Sequence, residues 1–89
     1  MKGLQANTLF AMQTFEQLFG LAVRRRRERQ GVSQEDFADR AGIHRTYVSS
    51  IELGKVNVGI GIAHKLALAL GLPLSKLFQD VERAQAGAK

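Results

Sequence analysis

Cysteine is absent from the 89 residues. That excludes disulfides and thiolate metal sites, and it suits a reducing, cytoplasmic setting. Long apolar runs are absent as well. None approaches the roughly 18 residues of a membrane span, so no membrane association is expected. The opening residues carry Lys2 and scattered polar side chains rather than a basic stretch leading into an apolar one, which argues against a signal peptide. Two histidines, His44 and His64, have no close carboxylate pair beside them and make a poor metal site. No serine lies in a pattern that would supply a base and a third orienting group. No glycine-rich loop leads into a Lys-Ser/Thr pair. Strand-like alternation and internal repeats are both missing. These absences predict an all-α protein that is not an enzyme and uses no metal, cofactor or small-molecule ligand.

Acidic residues are the scarcer charge. Thirteen lysines and arginines against eight aspartates and glutamates leave a net charge of +5, which favours a polyanionic partner. Charge alone does not choose between DNA, RNA and an acidic protein. The arginines gather at Arg24 to Arg27 and Arg29, and such a run reads equally well as a solvated helix C-terminus. Apolar residues make up 45% of the chain, enough for one modest core. A chain this short has little stability to spare, and dimerisation would add to it.

Hydrophobic periodicity predicts five helices, at about 15–29, 34–41, 45–53, 59–70 and 73–83. Thr14 and Gln17 form a capping-box pattern ahead of the first helix, and Gly31 suits a left-handed position after it. Ser33 is the expected N-cap of the second helix, which Gly42 closes. Pro73, the only proline, is tolerated in the first turn of the fifth helix. Residues 1–13 read as an extension, irregular or a short helix, with Met12 as an alternative start. Residues 14–83 form the domain, and 84–89 a frayed tail.

The third helix carries the functional signal. Val48 and Ile51 share its apolar face. Arg45, Thr46, Ser49 and Ser50 fall on the opposite one, which is short, polar and rich in donors. Arginine grips guanine O6 and N7 bidentately, threonine offers a methyl to thymine, and small serines permit close approach to the groove floor. His44 at the start of the helix is a further candidate base contact. Ser33 and Gln34 begin the second helix, where unsatisfied backbone N–H groups attract phosphate. One helix end would hold the DNA backbone while the next helix reads bases in the major groove.

The run GVSQEDFADRAGIHRTYVSSIELGKVNVG, from Gly31 to Gly59, resembles the repressor-type helix-turn-helix family of phage repressors and Xre-like regulators. The motifs that carry the resemblance are S-Q-E opening the second helix, A-G-I in the turn, Y-V-S-x-I-E in the third and K-L-A-x-A-L-G in the fourth. Arg45-Thr46-Tyr47 followed by Val48-Ser49 also looks like the controller proteins of restriction–modification systems. The resemblance implies a compact five-helix domain, a homodimer on double-stranded DNA, and a palindromic operator. It makes Gln34 a phosphate contact, Arg45, Thr46, Ser49 and Ser50 base readers, and Tyr47 and Asn57 backbone contacts, with Lys55 beside them in the loop. It pairs Arg27 with Glu52 across the first and third helices. Glu35 and Asp39 become a candidate activation patch facing the polymerase sigma subunit. An antitoxin-type module that binds a partner toxin as well as DNA is the alternative function.

Three departures from the family pattern stand out. Arg26 stands on the apolar face of the first helix where relatives carry Leu or Ile, and is expected to keep its head in water. Val56 occupies a loop site often basic in relatives. Gly59 and Gly61 weaken the start of the fourth helix, unless Gly61 admits another backbone. A second apolar patch around Leu68, with Leu77 and Val81 on the fifth helix, is the expected dimer interface.

Overall fold

The computed structural model describes residues 13–87, so the extension expected over residues 1–13, including Met12, lies outside the described residues apart from Gln13. Five helices follow one another: α1 (Phe15–Arg29), α2 (Gln34–Ala41), α3 (Arg45–Glu52), α4 (Ile60–Leu70) and α5 (Leu74–Gly87). No strand occurs among the described residues.

Helix starts follow the capping chemistry. Thr14 accepts from the Gln17 backbone while the Gln17 side chain accepts from the Thr14 backbone N–H, closing a full capping box. Ser33 Oγ accepts from the Asp36 N–H at 3.0 Å. Boundaries differ from expectation at three places. The third helix stops at Glu52, with Leu53 as its C-cap. Gly59 is the N-cap of α4 rather than an interior residue, so its helix penalty is not incurred. The fifth helix begins at Leu74 and continues through Gly87, well into the expected tail.

The core is built from Leu18, Phe19 and Val23 of α1, Phe37 of α2, Val48 and Ile51 of α3, Leu66 and Leu70 of α4, and Leu77 and Val81 of α5. Phe78 of α5 tilts against Phe15 and Phe19, with ring centroids 6.2 and 6.0 Å away. Two glycines set how closely α1 meets the end of α3. A Cβ at Gly20 would collide with the Ile51 carbonyl oxygen and lie 2.9 Å from that of Glu52. Gly54 has φ +71°, and a Cβ there would press on Gln17. The close backbone approach therefore sits at Gly20; a Cβ at Gly61 would meet nothing within 4 Å.

The expected interface on α5 needs correction. Leu77 and Val81 are each 0% exposed inside the protomer's own core, because the apolar stripe of α5 is used up against its own chain. They cannot line a contact between copies. Arg26 is corrected too. Its guanidinium does not end in water but holds Asp80 of α5 bidentately, Nε to Oδ2 at 2.7 Å and Nη2 to Oδ1 at 3.1 Å. A Leu at this position would meet α5 through packing; here an ion pair makes the same junction. The arrangement keeps the Asp80 carboxyl below its ordinary range, chiefly through the hydrogen bonds from Arg26. Val56, half-buried, packs against the core, which accounts for an apolar residue in that loop.

Candidate DNA-binding surface

A recognition helix must be both exposed on one side and fixed on the other. The fixing of α3 comes from a buried charge network. Arg27, 8% exposed, and Glu52, 6% exposed, meet bidentately: Nε to Oε2 at 2.7 Å and Nη2 to Oε1 at 3.0 Å. Arg27 Nη1 donates to the Val32 carbonyl at 2.8 Å, so the same side chain ties α1 to the entry of α2. The hydrogen bonds to Glu52 push the Arg27 guanidinium further above its already high ordinary value. Among the described residues no buried side-chain nitrogen or oxygen lacks a hydrogen-bond partner.

Gln34 joins this network, its Nε2 donating to Glu52 Oε1 at 3.0 Å. The sequence places Gln34 near DNA but gives no sign of this bond, since residues 18 apart are linked only by the fold. The side chain thus supports the ion pair at the same helix end where the backbone N–H groups of Gln34 and Glu35 stand in the unsatisfied first turn. Ser33 uses its hydroxyl oxygen as cap acceptor, which leaves the hydroxyl hydrogen to donate.

The outer face of α3 carries Arg45 and Thr46 exposed and Ser49 and Ser50 half-buried. His44 is the N-cap: its Nδ1 accepts from the Thr46 N–H at 3.3 Å, which requires that nitrogen to be unprotonated and leaves Nε2 pointing to the other side of the ring. Tyr47 is half-buried and packs against the core, whereas Lys55 and Asn57 are exposed in the loop that follows. Ser33 and Gln34 thus stand at the start of α2, His44, Arg45, Thr46, Ser49 and Ser50 at the start of or within α3, and Lys55 and Asn57 in the loop after it. Glu35 and Asp39 are exposed on α2. On α4, Leu68 is 62% exposed and Ile60, two turns before it, 76%. Sequence reasoning missed Ile60, although its spacing of four from His64 and eight from Leu68 puts all three on one helix face. No group of three or more His, Asp or Glu side chains among the described residues could hold a metal ion. No single helix there is long and apolar enough to cross a membrane.

A family model described as helix-turn-helix matches residues 23–77. The chain is 47% identical over 58 residues to the control protein C.MunI of a Mycoplasma species, covering 65% of this chain and 78% of that protein. It is 43% identical over 56 residues to the control protein C.BamHI of Bacillus amyloliquefaciens, covering 62% and 69%. Among solved structures, the restriction–modification controller protein C.AhdI from Aeromonas hydrophila superposes with a TM-score of 0.68 at 39% identity, over 70% of this chain and 94% of that one. The chain belongs to the helix-turn-helix family of DNA-binding regulators, a family of regulators and not of enzymes, and is related to restriction–modification controller proteins and Xre-like transcriptional regulators.

Proposed function

We propose that the chain acts as a homodimeric transcriptional regulator that reads a palindromic DNA site through the major groove. The observation that carries this reading is α3 itself: a helix pinned on its inner side by the Arg27–Glu52–Gln34 network, with Arg45, Thr46, Ser49 and Ser50 left on its outer side. Arg45 discriminates bases, Thr46 and the serines complete the reading face, and His44 contributes through Nε2. Ser33, Gln34 through the Nε2 hydrogen not given to Glu52, the first N–H groups of α2, Tyr47, Lys55 and Asn57 engage phosphates.

Pairing of copies runs through the Ile60–Leu68 face of α4, an apolar patch that α5 does not cover. The exposed carboxylates of Glu35 and Asp39 form an activation patch for the polymerase sigma subunit. Replacing both with lysine would then abolish activation in a reporter while sparing DNA binding, and retained activation would exclude that role. Selection of bound duplexes from a random pool tests the main reading. An inverted repeat is the expected outcome; a pool without sequence enrichment would contradict it.

A further inference from the structure

The side of α1 turned to the recognition helix holds Gly20 and Arg27. At about 100° per residue, Leu18, Leu21, Arg25 and Arg29 lie roughly 100–180° around the helix from Gly20. There they line a groove of about 220 Å³ between α1 and α5. Its floor is apolar: Leu18, Leu21, Ala22 and Ala84. Its rim is cationic: Arg25, Arg29 and Arg83. The carboxylate on its wall, Asp80, is already held by Arg26, and Arg83 reaches it only at 3.9 Å. Arg25 and Arg29 take part in no ion pair among the described residues.

We propose that this groove docks a protein segment carrying carboxylates on either side of an apolar side chain, and that it does so while α3 is on DNA. Four observations choose this occupant. The groove faces away from the reading helix, so its arginines point away from the duplex that α3 would enter; the proposal rests on the DNA-binding reading in this respect alone. Phosphate neutralisation has no use for an apolar floor, whereas a leucine-sized side chain does. The volume falls below the roughly 300–1,000 Å³ of small-molecule sites and matches one or two side chains. Surplus arginines at the rim give planar, bidentate partners for carboxylates.

The test titrates isotope-labelled full chain with the synthetic peptide Glu-Asp-Leu-Leu-Glu-Asp, alone and bound to a DNA duplex, and follows backbone amide resonances. Shifts are expected at Leu21, Ala22, Arg25, Arg29 and Ala84, not at Thr46 or Ser49, and they should persist on DNA. Arg25→Gln with Arg29→Gln, both exposed and so compatible with folding, should weaken the peptide at least about tenfold and leave DNA affinity within about twofold. The peptide Glu-Asp-Asn-Asn-Glu-Asp should bind comparably weakly to the parent. Equal binding of the two peptides would overturn the proposal, because the floor would then contribute nothing. No shift in the groove would overturn it as well. If the double variant left peptide binding intact but lowered the salt slope of DNA binding by about two units, the arginines would be phosphate contacts and the proposal would fall while the DNA-binding reading stood.

Discussion

Glu52→Ala probes the junction on which the position of α3 depends. The Glu52 carboxylate accepts three hydrogen bonds, at 2.7 and 3.0 Å from Arg27 and at 3.0 Å from Gln34. Truncation strands the Arg27 charge at 8% exposure, with the Val32 carbonyl as its remaining acceptor. Breaking a buried pair in this way costs about 3–5 kcal/mol. A domain of this size has about 4–11 kcal/mol in total, so the loss takes a large share of its stability. At an m-value of about 1 kcal/mol/M, the urea midpoint should fall by about 3 M or more. Far-UV circular dichroism at fixed protein concentration reads this directly, fixed because the proposed dimerisation would couple to folding. Replacing both partners, Arg27→Met with Glu52→Leu, strands no charge and should recover most of the lost stability. A Glu52→Ala midpoint within about 0.5 M of the parent would refute the reasoning, as would a double variant no more stable than the single one.

Gly20→Ala should destabilise the fold and weaken DNA binding together, since its Cβ meets backbone carbonyls of α3 that cannot swing aside; an unchanged melting temperature would show that α1 and α3 can separate freely. Asp80→Asn tests the Arg26 junction through pH. The folded pKa of Asp80 is depressed, so its contribution is fully present above the ordinary Asp value of about 3.9 and is lost as pH falls through the lower folded value. The stability gap between parent and variant should therefore be constant near neutrality and close in strong acid, and a gap independent of pH would contradict the pairing. Leu68→Glu, at 62% exposure, should split the proposed dimer without unfolding the protomer; sedimentation of an intact dimer at micromolar concentration would remove Leu68 from the proposed interface.

Local signals made the fold legible. Caps at Thr14 and Ser33 and stripes such as Phe37–Ala41 depend on neighbours three or four residues apart, and helix starts followed them closely. Helix ends were less legible where no glycine stood: α5 runs on to Gly87 because Ala84 and Ala86 are good helix formers that no breaker interrupts. The α5 interface was misplaced for a related reason. Periodicity shows that Leu77 and Val81 share a stripe but not which neighbour covers it. The Arg26–Asp80 pair and the Gln34–Glu52 bond join residues 54 and 18 positions apart, and only the packing of α1 on α5 and α2 on α3 brings them together. A glycine amid the apolar residues of α1 did carry a signal, because a helix interior tolerates one mainly where another backbone comes close.

We propose that the outer face of α3 reads bases while the start of α2 holds phosphates. Titrating Arg45→Ala and Gln34→Ala against a selected duplex and a scrambled one, over several salt concentrations, tests it most directly. Arg45→Ala should cost about 1–3 kcal/mol on the selected duplex alone and flatten preference at one base pair per half-site. Gln34→Ala should weaken both duplexes nearly equally, since phosphates are the same everywhere, and leave the salt slope almost unchanged because no charge is lost. If Arg45→Ala instead weakened both duplexes alike with base preference intact, Arg45 would be a backbone contact and the reading face assigned to α3 would be wrong.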